Sequence, residues 1–486
     1  MEVVKRQKFK PKEHYNSPGY KLLPFKYLHI DSTNELIVGA SGDYVIAPIG
    51  SVEAIVKRRP ISNEKLMRDL HAKHIIIDEY ESGGLDVIAN RIRTKKDHLL
   101  QLSSLHIFVL TLRCNHTCHY CQVSRVTQDK QSFDLKKTDL DHAIELMLKS
   151  PSKFITMEFQ GGEPLLAFDL LKYAVETTLS LNTDKRINFV ICTNGTIYNE
   201  EIIKFCLKYD ILISTSLDGP EFLHDSNRKL RKGSSYHDVI AGIQYFRNAL
   251  GKDRISALMT ASSLSLKYPQ EIINAYLENG FHNIFLRPIS PYGFALKSPK
   301  KNYYETQQFL EFYEKAFEYI LQINLKGTFF REDFASVILK KILTPFQSNY
   351  VDLQSPAGAI NSVLVYNYDG YVYASDESRM LAEQNDYSFR LGHVSDGYKK
   401  LLTSDEALSV FKNSLNEALN GCSDCAVSDF CGADPVFHHA IQGDAYGHRP
   451  TSGFCEKNMS IIKYLIRKLE ESTSVRNIFY EWISAK

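Results

Sequence analysis

From about Leu105 to Ile289 the chain alternates short apolar runs with helical segments, and that alternation leaves few folds open to it. The runs are LHIFVLTL (105–112), FITMEF (154–159), INFVICT (187–193), ILISTSL (211–217), RISALMT (254–260) and NIFLRPI (283–289). Segments with helical periodicity lie between them, at about 135–149, 168–181, 199–208, 235–249 and 269–279, and a long one follows at about 303–324. Strands separated by one helix each make βα units, and these build a parallel sheet, open or closed into a barrel. The expectation is an α/β fold with a partial (β/α)6 barrel over residues 101–330. Such sheets bind ligands at the C-terminal ends of their strands, and the polar motifs of this chain fall there.

The first run leads into Cys114-Asn115-His116-Thr117-Cys118-His119-Tyr120-Cys121. Three thiolates at this spacing hold three irons of a cubane and leave the fourth open to a small molecule. A zinc site more often closes on four ligands in two pairs. Gly161-Gly162-Glu163-Pro164 ends the second run. Glycine lets the backbone approach a ligand, and a glutamate offers a carboxylate to an ammonium. Asn194-Gly195 follows the third run, Ser216-Leu217-Asp218-Gly219 the fourth, and Arg287 stands near the end of the sixth. Asn-Gly and Asp-Gly serve equally as turns, and Arg287 equally suits a structural ion pair.

A second set, Cys422, Cys425, Cys431 and Cys455, lies near the C-terminus. By spacing alone it fits a zinc ribbon as well as an iron–sulfur cluster. Cys192 and Cys206 have apolar neighbours and read as small buried hydrophobes. Net charge is +1, with 44% hydrophobic and 24% charged residues. That balance gives no reason to expect nucleic acid or a membrane as partner. The opening MEVVKRQKFKPKEHYNSPGY is basic without an apolar run, so no signal peptide is expected. A cytoplasmic, reducing location follows, where close cysteines are metal ligands more often than disulfides.

The motifs from Leu105 to Ile289 together resemble the radical S-adenosylmethionine (SAM) superfamily. The resemblance implies that Cys114, Cys118 and Cys121 bind a [4Fe-4S] cluster that cleaves SAM to a 5′-deoxyadenosyl radical, fed by an external electron donor. It implies that Tyr120 lies near the adenine and that Gly161, Gly162, Glu163 and Pro164 hold the methionine amino group. Asn194, Ser216 and Asp218 would contact ribose and carboxylate, and Arg287 a carboxylate of SAM or substrate. The second cysteine set resembles the SPASM extension of peptide-modifying radical SAM enzymes, whose seven cysteines bind two auxiliary clusters. Here Pro435 and Ser375 stand where that pattern has cysteines. The resemblance therefore implies one auxiliary [4Fe-4S] cluster on the four retained cysteines, two clusters in all. Asp376, next to Ser375, is then implied as an acid or base near the substrate.

The text CGADPVFHHAIQGDAYGHRPTSGFC resembles maturases of the His-Xaa-Ser peptide system. It implies a precursor peptide and a second radical SAM protein as partners. His438, His439 and His448 within it read as structural histidines.

Residues 1–100 read as a small α+β domain: two strands in ELIVGASGDYVIAP, then helices in GSVEAIVKR and NEKLMRDLHAKH, then NRIRTKKDH as a linker. The unit resembles winged-helix domains that bind a leader peptide. Residues 331–460, with a hairpin in SVLVYNYDGYVYAS, are expected to form the SPASM-like domain, and 461–486 a helical tail. The leading expectation is a maturase of a ribosomally made peptide or protein. A radical SAM enzyme for a small metabolite and a non-enzymatic iron–sulfur sensor or scaffold are the alternatives.

Overall fold

The computed structural model describes residues 19–78, 83–121, 123, 127–292, 302–348 and 350–485. The basic opening segment, read above as lacking a signal peptide, lies outside them up to residue 18. Five of the six expected barrel strands form, as Leu105–Thr111, Phe154–Gly161, Arg186–Cys192, Leu212–Ser216 and Ile255–Leu258, all parallel to their neighbours. The helices fall where the apolar period put them: Lys137–Leu148, Phe168–Leu181, Glu200–Lys208, Ser235–Leu250, Pro269–Glu278 and Thr306–Leu325. Local chemistry starts several of them. The Asn199 side chain accepts from Ile202 N, and Ser234 from His237 N, each satisfying an amide that a helix start leaves open.

The sixth strand is a correction. Only Asn283–Ile284 is extended, and it pairs with Arg331–Glu332 outside the main sheet. Among the described residues a single bridge, Ala261 to Pro288, pairs this run with the segment after the fifth strand. Pro288 has no amide proton to continue a ladder. On the opposite edge the sheet gains strands that barrel periodicity does not announce. Val363–Tyr366 lies parallel to Leu105–Thr111, and Tyr371–Tyr373 and Arg390–His393 extend it antiparallel. The result is a sheet of eight strands. His106 pins the seam, reaching Tyr366 Oη at 3.0 Å and the Ser103 carbonyl at 2.8 Å.

The expected boundaries shift accordingly. The hairpin of the 331–460 segment belongs to the barrel's own sheet. The boundary at 460 cuts the helix Gly453–Glu471, which a second helix, Thr473–Ser484, follows. NRIRTKKDH is not a linker but the end of the helix Gly83–Lys96 and the turn after it. Its basic residues anchor the N-terminal unit: Lys96 donates to the Ser355 carbonyl and to Glu417, both at 2.6 Å.

That unit holds a three-stranded antiparallel sheet, Phe25–His29, Asn34–Gly39 and Tyr44–Pro48. The helices Ser51–Val56 and Glu64–Ala72 cover one face around a small core that includes Ile37, Ile55 and Leu70. Ile30, Leu36 and Val38 join the main core instead. Among the described residues no helix is long and apolar enough to cross a membrane.

Candidate functional site

Cys114 follows the first barrel strand, and its neighbour Arg113 fixes the strand end. Arg113 is 2% exposed and grips Asp134 with two hydrogen bonds of 2.6 and 2.8 Å. It also donates to the Leu166 carbonyl at 2.8 Å. A planar fork on a carboxylate sets orientation as well as distance. Cys118 lies on a short strand, His116–Cys118, paired antiparallel with Arg228–Leu230. Cys114, Cys118 and Cys121 lie close enough to act on one another's charge, and burial pushes the Cys114 thiol up to about 12. Thiols held so high ionise when cationic iron offsets the lost hydration, so this donor set fits an iron–sulfur cluster.

The Gly161-Gly162 pair behaves differently from expectation. A Cβ on Gly161 would sit 2.0 Å from the Thr111 carbonyl oxygen, and one on Gly162 only 2.3 Å from that of Arg113. The close approach that needs glycine is to the chain leading into Cys114. Gly162 N donates to Thr111 O at 2.7 Å and Glu163 N to Arg113 O at 2.8 Å.

The Glu163 carboxylate is fully buried and takes three protein donors. Thr193 Oγ1 reaches it at 2.8 Å, Asn194 N at 2.8 Å and Leu165 N at 3.0 Å. Burial outweighs these bonds and raises its pKa to about 7. Glu163 thus ties the ends of the second and third strands and caps the short helix that Pro164 begins.

Asn194 is drawn into the same frame. It donates to Asn115 Oδ1 at 2.7 Å, while its own Oδ1 accepts from Thr196. Asp218, also expected to contact SAM, is fully buried and accepts from Tyr120 Oη at 2.7 Å, Asn227 Nδ2, Arg228 Nε and Thr260 N. The Arg228 guanidinium lies 5.3 Å from the Tyr120 ring centre. Tyr120 therefore clamps the cysteine loop to the fourth strand. Ser216 is half-buried at the end of the fourth strand.

Asp376 is the first residue of the helix Asp376–Ala382, which Ser375 caps. It ion-pairs with Arg379 at 2.6 Å, and its charge acts on Glu158, Cys192 and Arg287. Arg287 lies 3.7 Å from Glu377. Both line a cavity of about 410 Å³, as does Asn302, which receives His119 Nδ1 of the cysteine loop at 2.6 Å. Pro435 is the first residue of the helix Pro435–Gln442, with Asp434 accepting from Phe437 N as its cap. Ser375 and Pro435, two of the three positions that lack cysteines, are thus a helix cap and a helix start.

Sequence reasoning missed Glu158 and Gln160. They bond each other at 2.7 Å, and Arg379 reaches Gln160. A signal was present. A parallel strand covered on both faces reads as apolar throughout, and FITMEFQ carries polar residues two apart, on one face.

The second cysteine set surrounds a small cavity, with Arg449 in its wall. Arg449 donates Nε to Cys422 Sγ at 3.1 Å. Its two other guanidinium nitrogens are buried without a partner among the described residues. Orphaned donors beside four thiols fit an anionic group such as a thiolate-bound cluster. Among the described residues no three His, Cys, Asp or Glu side chains form a site for a single metal ion. His438 bonds Asp434 O and Ser452 Oγ, His439 bonds Asp386, and His448 bonds Thr451.

The sequence model of the radical SAM superfamily matches residues 108–275. The chain carries a radical SAM domain. Such a domain implies SAM and a [4Fe-4S] cluster. A cysteine-type anaerobic sulfatase-maturating enzyme of Clostridium novyi is 23% identical over 378 residues, 73% of this chain and 95% of that one. The structure titled native anSMEcpe with bound AdoMet and Kp18Cys peptide shares the fold, at 18% identity and a TM-score of 0.62, covering 78% of this chain and 99% of the other. Streptococcus suis SuiB bound to precursor peptide SuiA is more distant, at 13% identity and a TM-score of 0.50, covering 84% and 94%.

Proposed function

We propose that this radical SAM enzyme modifies a ribosomally made peptide by hydrogen abstraction. The observation that carries the reading is the cavity of about 410 Å³ tied to the cysteine loop through Asn302 and His119. It is roomy enough for a residue of a peptide. The peptide-bound structures of anSMEcpe and SuiB support a peptide over a small metabolite, and the resemblance to His-Xaa-Ser maturases points the same way.

Cys114, Cys118 and Cys121 hold the SAM-binding cluster, and Cys422, Cys425, Cys431 and Cys455 a second, closed one. When bound, the first cluster and SAM supply a 5′-deoxyadenosyl radical. The chain's own residues do the positioning. Arg113 and the Gly161-Gly162 contact fix Cys114, and Asp218 with Tyr120 fixes the loop from the far side. Ser216 offers its hydroxyl to SAM, and Asp376, whose charge acts on Glu158 and Cys192, takes a proton from the substrate radical, for whose remaining electron the second cluster, when bound, would be the acceptor. The N-terminal unit supplies a sheet edge, Phe25–His29, to which a leader peptide adds as a strand.

Iron and sulfide analysis with Mössbauer spectroscopy on anaerobically reconstituted protein tests the cluster assignment. Two complete sets give about eight irons per chain, and Cys422→Ala/Cys425→Ala keeps about four. One zinc with four irons makes the C-terminal site a zinc ribbon instead. Anaerobic incubation with SAM, dithionite and the precursor peptide, read by mass spectrometry, tests the substrate. 5′-Deoxyadenosine release without any peptide product over a panel of candidate precursors refutes the maturase reading.

A further inference from the structure

The cavity beside the cysteine loop has an uneven charge inventory. Among the described residues, Asp352, Glu377 and Asp434 line it, with Glu305 at a helix cap, against two cations, Arg287 and Lys457. Its remaining wall is largely aromatic. Tyr292 in that wall is 2% exposed, and the Asp434, Glu377 and Asp352 carboxyls lie close enough to act on it by charge. The cavity also adjoins Ser375 and Pro435, two of the three positions where the SPASM pattern would have cysteines. Glu377 lies two residues past Ser375, and Asp434 immediately precedes Pro435.

We propose that this cavity binds a cationic side chain of the peptide substrate, an ammonium, guanidinium or imidazolium, caged by aromatic rings and the Asp352, Glu377 and Asp434 carboxyls. The inference rests on the peptide reading above and adds the chemical class of the residue the enzyme selects. A cation over an aromatic face gains from the ring quadrupole, more so when water is excluded. The wall already uses this chemistry: Lys457 Nζ lies 5.3 Å from the Phe334 ring centre and 5.5 Å from that of Phe454.

The charge balance agrees. Burial, then Asp352 and Asp376, hold the Glu377 carboxyl above its ordinary range, and burial, then Asp352, does the same to Asp434. Carboxyls that resist ionising next to one another are relieved by an incoming cation. Arg287 offsets part of the charge from one side only, at 3.7 Å from Glu377. An anionic or doubly acidic side chain would meet the opposite field.

The test is calorimetry on anaerobically reconstituted full-length protein with SAM bound. The probes are blocked tripeptides of one frame, Ac-Gly-X-Gly-NH2, with X lysine, histidine, norleucine or glutamate, and n-butylammonium. The expected result is binding of the lysine or histidine peptide at least about tenfold tighter than norleucine, with glutamate weakest. Glu377→Gln and Asp352→Asn should each remove most of that preference while leaving norleucine binding unchanged. Asp352→Asn guards against misfolding of the other variant, since Glu377 belongs to a helix.

Equal affinity for lysine and norleucine, or a preference that survives both substitutions, overturns the inference. Butylammonium binding as tightly as the lysine peptide overturns the peptide part and makes the ligand a small amine. Peptide modification by the wild type is measured in parallel. A wild type that modifies peptide without cation preference fails this inference alone, and one that modifies none fails the reading beneath it.

Discussion

Replacing Gly162 by alanine is the sharpest way to separate positioning from ligand contact at the second strand end. The new Cβ would lie 2.3 Å from Arg113 O, 2.5 Å from Leu112 O and 2.7 Å from Arg113 C. Ordinary contact begins near 3.4 Å, so the strand end must retreat by roughly 1 Å. All three neighbours are backbone, so no rotamer change can absorb the strain. Overpacking costs about 1–3 kcal/mol, and the upper figure applies where backbone must move. The retreat also stretches the bonds from Gly162 N and Glu163 N that fix the turn before Cys114. A displacement of this size at a reacting centre costs about 100-fold in rate. The assay is anaerobic 5′-deoxyadenosine release with thermal unfolding, and Gly83→Ala is the control, since a Cβ there meets nothing within 4 Å. A Gly162→Ala enzyme that melts and turns over like the control would refute the packing argument.

Three further outcomes are expected. Arg449→Met removes a positive charge and the donor to Cys422 Sγ, so the auxiliary cluster's midpoint potential should fall in an EPR-monitored titration, with Arg449→Lys between; an unchanged potential would mean the orphaned nitrogens face no cluster. Glu332 is fully buried and its pKa is raised to about 7 from 4.5. Its contribution to stability is present in full below about pH 4.5 and lost as pH rises through about 7, on the order of 3 kcal/mol. Anaerobic urea denaturation between pH 5 and 8 should show that slope in the wild type and not in Glu332→Gln. Asp376→Ala should stop product formation while uncoupled SAM cleavage continues, and normal product yield would remove Asp376 from the chemistry.

The barrel was legible because its period is local. The longer helices from Lys137 to Leu325 announce themselves by apolar spacing, and those at Glu200 and Ser235 also by a capping Asn199 and Ser234. The sixth strand failed for want of partners: NIFLRPI has strand composition, but a ladder depends on what lies beside it. The appended strand Val363–Tyr366 failed for the converse reason. Its hairpin is plain in the sequence, while its pairing with Leu105–Thr111 is decided across the whole domain. At the site, cysteine spacing located the loop, yet the roles of its neighbours depend on burial. Glu163 and Asp218 look like ligands in a motif and are tied up by protein donors in three dimensions. Glu158 and Gln160 had a signal, polarity inside a buried strand, and Arg113 a charge just past the end of another, that motif matching passes over.

The seam at His106 and Tyr366 joins residues 260 apart in sequence. A ribosome adding about 5–20 residues per second takes roughly 13–52 s to cover that distance. For that interval the strand that carries the cysteine loop has one edge bare, and a bare edge invites pairing with other chains. The order of pairing follows from the topology: the early strands of the sheet wait on the ribosome, and this edge is covered only when the late hairpin emerges. Yield of loaded enzyme is then governed by chaperone protection during synthesis as well as by iron supply.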